Sequence, residues 1–227
     1  MSASAKPNSR RRRVNGLRIN VDCGEGQPWD AELAEFADML NVCGGAHAGS
    51  REISAQTVAL ARANGLAWGM HPGYPDPEHF GRRPLSSLNA ARVAESLRQQ
   101  VEFLAALGGA SYLKPHGAFY HDSQVPGDAA DLLLEILGGL PLVGFPGSYH
   151  QQIAAAAGVE FWAEGFAERG YAVDGRLLPR SEPGALLTTE SEIKAQVAQL
   201  RVDTICVHGD SPGCVQAIRW VREALAR

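Results

Sequence analysis

The chain has 227 residues, 45% of them hydrophobic and 20% charged, with a formal net charge of −4. That length can bury a real core as one large domain or two small ones. The slightly acidic balance speaks against non-specific nucleic-acid binding, and no run is apolar enough to span a membrane. The only basic cluster, Arg10 to Arg13, lies in a polar stretch with no apolar segment behind it. It is not a secretory signal, and residues 1–16 are expected to form a disordered basic tail. The four cysteines, Cys23, Cys43, Cys206 and Cys214, include no C-x-x-C pair, so reduced thiols in a cytoplasmic protein are expected.

In chain order, the first short apolar run, "LRINV" (17–21), leads into Asp22-Cys23-Gly24-Glu25-Gly26. The second, "DMLNVC" (38–43), is followed by Gly44-Gly45-Ala46-His47-Ala48-Gly49. Residues 50–64 then place Ile53, Thr57, Leu60 and Ala61 on one helical face, and Gly65 supplies the stop. The third run, "LAWGM" (66–70), opens a stretch rich in turn formers, "HPGYPDPEHFGRRP" (71–84), which reads as a loop over the site. A helix is expected over 89–107. The fourth run, "SYLK" (111–114), ends at Lys114-Pro115-His116-Gly117 and leads to the aromatic pair Phe119-Tyr120.

Two further runs follow, "LVGF" (142–145) and "VEFWA" (159–163). After them comes "FAERGYAVDGRLLPRSEPGALL" (166–187), whose length and alternating charge suggest an ordered lid with arginines able to clamp a carboxylate. Thr189 and Glu192 have capping-box spacing ahead of another helix. The seventh run, "DTICV" (203–207), ends at His208-Gly209-Asp210, and Ser211-Pro212 read as the start of the closing helix. Strands alternating with helices imply a parallel sheet, because right-handed crossovers are nearly obligatory. Seven such units predict one seven-stranded parallel β/α barrel over residues 17–227. An open doubly wound sheet is the alternative.

In a barrel the strand ends form one rim. Four of the seven histidines fall just past an apolar run, together with carboxylates and a lysine. Burying so many ionisable groups is costly unless they pair, bind a ligand or hold a metal, so the rim is a candidate active site. Histidines and carboxylates can exchange protons near neutral pH, and Lys114 can meet an anion or an oxyanion or, if desolvated, form a Schiff base. Asp22, His47 and His71 are candidate ligands for a divalent metal. Cys23 reads as a small apolar lining residue rather than a nucleophile.

The segments "INVDCGEG", "NVCGGAHAG", "GMHPGYPDPEHFGR", "LKPHGAFY", "FAERGYAVDGRLLPRSEPGAL" and "TICVHGD" resemble, in order, motifs of the LamB/YcsF lactam-utilisation family. The resemblance covers residue 17 to about residue 226. It implies a seven-stranded β/α barrel akin to polysaccharide deacetylases. It also implies participation in ATP-dependent opening of the lactam 5-oxoproline to L-glutamate, with 5-oxoprolinase subunits B and C as partners. It carries Asp22, Glu25, His47, His71, Lys114, His116, His208 and Asp210 over as catalytic candidates, and Asn20, Asp76, Arg82, Arg169, Tyr171 and Arg180 as substrate contacts. Tyr120, from the aromatic pair, joins the substrate candidates. On this reading Lys114 orients a phosphoryl or lactam oxygen, His116 or His47 activates water with Asp22 and Glu25 in support, and Arg82 or Arg180 holds the substrate carboxylate.

The chain departs from the family pattern at Ser50 and Glu168, where Asp is usual, at Gly73, where Ser is usual, and at His121, where Asn is usual. It carries no G-x-x-x-x-G-K-[ST] phosphate loop, so ATP would bind in a non-standard way or partly on a partner. Two other functions remain open from the residues: a metal-dependent deacetylase or amidohydrolase acting alone, and a non-catalytic scaffold subunit.

Overall fold

The computed structural model describes residues 16–226. The expected tail, apart from Gly16, lies outside the described residues. In chain order the elements are β1 (Arg18–Cys23), α1 (Asp30–Phe36), β2 (Met39–Cys43), α2 (Arg51–Ala63), β3 (Ala67–His71), α3 (Ala90–Leu107), α4 (Gly117–Asp122) and α5 (Asp128–Ile136). There follow β4 (Leu142–Gly144), α6 (His150–Ala157), β5 (Phe161–Phe166), α7 (Glu190–Gln199), β6 (Thr204–Val207) and α8 (Cys214–Leu225). No helix among the described residues is long and apolar enough to cross a membrane.

The strands form one curled, parallel, six-stranded sheet in the order β3-β2-β1-β6-β5-β4. Six of the seven expected runs are therefore strands. The remaining one, the fourth run at 111–114, is reduced to a single residue. Leu113 makes parallel bridges to Met70 on one sheet edge and to Leu142 on the other. Lys114 N donates to Met70 O and Val143 N to Leu113 O, both at 2.9 Å. The next residue, Pro115, has no N–H to extend a ladder, and the chain turns at once into α4.

Successive side chains on a strand point to opposite faces, and this period sorts the molecule into two interiors. Ile19, Val21, Leu40, Val42, Ile205 and Val207 point outward and join the large apolar core made with the helices, including Leu33, Leu97, Leu133 and Ile218. The alternate positions point inward. At the floor, Met39, Tyr112 and Val143 pack with Ala67 and Trp162. Gly69 makes room for that layer, since a Cβ there would lie 2.2–2.4 Å from the Tyr112 ring.

Helix ends follow their local chemistry. Ser50 caps α2 by accepting from Ile53 N at 3.3 Å, so the departure from the family's Asp retains a capping oxygen. The Thr189–Glu192 capping box is formed at α7. The closing helix differs from expectation. Ser211 and Pro212 lie in a turn, and α8 begins at Cys214 after Gly213, whose φ of +77° is a left-handed value that glycine adopts freely.

Candidate active site

Above the floor the inward-facing residues become polar. Tyr112 OH donates to Asn41 Oδ1 at 2.6 Å, and Asn41 Nδ2 donates to Asn20 Oδ1 (2.6 Å) and Asp22 Oδ1 (2.7 Å). Asn20 Nδ2 in turn donates to Thr204 Oγ1 at 2.9 Å. Into this layer projects the ammonium of Lys114, 3.2 Å from Asn20 Oδ1, 3.0 Å from Asp22 Oδ1, 3.0 Å from Cys206 Sγ and 2.9 Å from Glu164 Oε1. Three N–H donors face four acceptors, so the lysine has no donor to spare. Burial alone works to lower the Lys114 ammonium, but Asp22, Cys206 and Glu164 outweigh it and hold it well above its ordinary value. Burial likewise works to raise Asp22, and the Lys114 ammonium foremost reverses this, keeping the carboxyl well below the usual range. Asp22 is thus a buried anion, only 3% exposed.

Three histidines crowd beside it. His71 Nδ1 is 2.8 Å from Lys114 O, and His116 Nε2 is 2.9 Å from Phe80 O. A carbonyl only accepts, so both of these nitrogens carry hydrogen. Their remaining nitrogens, His71 Nε2 and His116 Nδ1, face each other at 3.0 Å. His47 stacks on His116 with centroids 3.7 Å apart, and its Nε2 is 3.3 Å from Glu25 Oε1. Burial, reinforced by Asp22 and Asp210, pushes the Glu25 carboxyl well above its ordinary value. Gln100, from α3, brackets the loop after β3: its Oε1 accepts from Gly73 N (3.0 Å) and its Nε2 donates to Gly73 O (2.8 Å).

Two sets of three donors come within 4.8 Å of one another here: Asp22, His71 and His116, and Glu25, His47 and His116. The expected metal set of Asp22, His47 and His71 is divided between them. A further set joins Asp22 to Cys206 and His208.

On the opposite wall, His208 Nδ1 makes a very short contact to Glu168 Oε1, which also accepts from His208 N at 3.0 Å. The His208 ring stacks on Phe166 at 5.4 Å. Burial works to raise Glu168, but His208 and these hydrogen bonds hold the carboxyl below its usual range. Arg82 pairs with Asp210, and Arg169 Nη2 donates to Leu178 O at 2.6 Å, tying the root of the lid to its far side. The lid is ordered by antiparallel bridges Arg169–Leu186 and Tyr171–Leu177.

Between the two walls lies a cavity of about 440 Å³, lined by Asp22, His71, Arg82, Lys114, His116, Tyr120, His121, Phe166, Arg169, Arg180 and His208 among others. That volume is in the range of small-molecule sites, roughly 300–1,000 Å³. Six sequence candidates do not line it. Asn20, Glu25 and His47 lie behind the wall residues, and Asp210 stands behind Arg82. Asp76 is occupied by Arg83 at 2.6 Å. The Tyr171 oxygen accepts from Phe166 N at 2.8 Å, at the base of the lid.

Conversely, Asn41, Glu164, Glu168 and Cys206 enter the site without having been candidates, and His121, a departure from the family pattern, joins the cavity wall. Glu164 had a signal. The run expected at 159–163 continues to Phe166, and extending it by one alternation puts Trp162, Glu164 and Phe166 on one face.

A parallel α/β protein with buried titratable groups and cationic side chains around a cavity at its strand ends belongs structurally to the enzymes. More narrowly, this chain belongs to the LamB/YcsF family, whose profile matches residues 17–227. It is 35% identical to the 5-oxoprolinase A subunit from Rhodopseudomonas palustris strain BisB18, covering 92% of this chain and 94% of that one. It is also 35% identical to the 5-oxoprolinase A subunit from Nocardia farcinica, covering 92% and 95% respectively. Among solved structures, the lactam utilization protein of Thermus thermophilus superposes with a TM-score of 0.80, at 32% identity over 92% of this chain and 96% of that one.

Proposed function

We propose that this chain is the A subunit of an ATP-dependent 5-oxoprolinase, opening the five-membered lactam of 5-oxo-L-proline to L-glutamate together with B and C subunits. Nearly full-length likeness to chains of that name supports the substrate class. The observation that carries the chemistry is the cavity itself, where one wall offers guanidinium groups and a carboxylate-backed histidine. We read the sheet together with Leu113 as a seven-membered barrel, residues 17–227 as its single catalytic domain, and the cytoplasm as its location.

A lactam is a poor electrophile, and ATP, when bound, would supply a phosphoryl group that activates its oxygen. Arg82, Arg169 and Arg180 fit the anionic groups this requires, the substrate carboxylate or a phosphate. Ring opening then needs water at the carbonyl carbon, a base for its proton, and a proton for the departing nitrogen. Glu168 holds His208 Nδ1–H, so the other ring nitrogen is free to take the proton from water. The C–N electron pair stays with nitrogen, which gains a proton and becomes the amine, and the acyl phosphate then left at the former lactam carbon would be hydrolysed by a second water to the γ-carboxylate of glutamate and inorganic phosphate. Lys114, with every donor engaged, serves as a positioning residue that keeps Asp22 ionised.

The test mixes this chain with candidate B and C subunits, 5-oxoproline and ATP, and measures glutamate. ATP-dependent release is expected; no glutamate from folded subunits would overturn the reading. The convergence of Asp22, His71 and His116 favours a second reading, hydrolysis of a small amide by this chain alone. Turnover without ATP or partners, abolished by a chelator, would select it.

A further inference from the structure

We propose that Asp22 Oδ1, His71 Nε2 and His116 Nδ1 bind one divalent transition-metal ion, of the zinc, cobalt or manganese class, at the cavity floor. Backbone carbonyls of Lys114 and Phe80 take the N–H of His71 Nδ1 and His116 Nε2, at 2.8 and 2.9 Å. In neutral imidazoles the other nitrogens then carry lone pairs. These face each other at 3.0 Å, and their other polar neighbours are carboxyl oxygens, Asp22 Oδ1 at 3.5 Å from His71 Nε2 and Glu25 Oε1 at 3.4 Å from His116 Nδ1, so a positive species between the two nitrogens relieves their repulsion.

The spacing fits a metal. Ligands about 2.0–2.2 Å from a common ion stand roughly 3.0–3.5 Å apart at tetrahedral or octahedral angles. The two nitrogens are separated by 3.0 Å, and Asp22 Oδ1 lies 3.5 Å from His71 Nε2. Fixing each tautomer through a backbone carbonyl on the far nitrogen is also how metal-ligating histidines are held. One of those carbonyls comes from a strained residue. Phe80 is the only described non-glycine residue with positive φ, +56°, and that conformation aims its carbonyl at His116.

Charge and access agree. Asp22 and Glu164 are two carboxyl groups sharing one ammonium, leaving the layer receptive to a cation. All three ligands line the cavity, so a further coordination position would open to a small molecule. Two imidazole nitrogens and one carboxylate oxygen suit borderline transition metals better than calcium or magnesium, which prefer all-oxygen sites. The set of Glu25, His47 and His116 is the poorer candidate, because Glu25 and His47 do not line the cavity.

The inference stands apart from the lactam reading, because its test measures metal and not turnover. The full chain, purified without chelator or affinity histidines, would be assayed for metal content and, after stripping, titrated with Co²⁺ while visible absorption is followed. About one equivalent per chain and ligand-field bands are expected. His71→Ala, His116→Ala and Asp22→Asn should each lose them while circular dichroism remains folded, and His47→Asn should keep them. Folded wild-type protein that takes up no metal and gives no cobalt spectrum would overturn the site in favour of a shared proton. Loss in His47→Asn with retention in Asp22→Asn would move the ion to the other donor set and equally refute the proposal.

Discussion

Lys114 and Glu168 show how single side chains are assigned work by their surroundings. The Lys114 ammonium lies in a fully buried layer between Asp22 and Glu164, at 3.0 and 2.9 Å. Removing one partner from such a cluster strands a charge, with costs of about 3–5 kcal/mol, so a structural contribution accompanies any catalytic one. Glu168 offers a cleaner functional test. Its carboxylate orients His208 through Nδ1–H and the backbone N–H. Glu168→Gln preserves size but weakens the hold on the tautomer and removes the charge that would stabilise an imidazolium. In the reconstituted enzyme kcat should fall by about 10²–10⁴-fold with KM little changed, measured by glutamate release at saturating substrate. Unchanged kcat would remove His208 from the role of base. The Asp-to-Glu departure at this position keeps the carboxylate, and its longer arm reaches the ring.

At the scale of elements, β3 and the bridge at Leu113 determine where the rim residues stand. Gly69 and Tyr112 face the interior on adjacent segments, and the phenol crosses to donate to Asn41. A methyl at Gly69 would meet the ring at 2.2–2.4 Å. Gly69→Ala should therefore lower unfolding stability by about 1–3 kcal/mol, the usual cost of overpacking, as read from urea midpoints. Adding Tyr112→Leu should recover part of that loss if the clash is its cause. An unshifted midpoint in Gly69→Ala would mean that the ring has room to move and that the floor is not close-packed.

For the whole molecule, buried neutral histidine makes stability depend on pH. His150 is fully buried. Its Nδ1 accepts from Phe145 N at 3.1 Å and its Nε2–H donates to Ser123 Oγ at 2.9 Å, leaving no place for a second proton. Burial lowers it from its ordinary value to about 3. The unfolded chain takes up a proton near pH 6.5 and the folded chain does not. Stability is therefore full above that pH and is lost as pH falls toward 3, by about 1.4 kcal/mol per unit. Between pH 7 and 5 the contribution of this one group is about 2 kcal/mol. His150→Asn, which retains an acceptor for Phe145 N, should lose about that much less stability over the same interval. Parallel curves for variant and wild type, from denaturant titrations at several pH values, would contradict the assignment.

The sequence alone determined the alternation of strands and helices, the capping box at Thr189, and the rim positions Asp22, His71, Lys114, His116 and His208. These depend on local matters: apolar periodicity, turn formers and the residue that follows each run. Tertiary structure decided what such signals do not carry. It reduced the fourth run to one bridging residue because neighbours on both sides need only Leu113 and Pro115 ends the ladder. It divided the expected metal ligands between two sets, and it committed Asp76 to Arg83 and every donor of Lys114 to buried acceptors. It also brought in Asn41, Glu164 and Glu168, which join the site only because strands distant in sequence lie side by side. Hydrogen-bond partners, tautomers and the pairing of buried charges are set by approach in space, and no spacing along the chain encodes them.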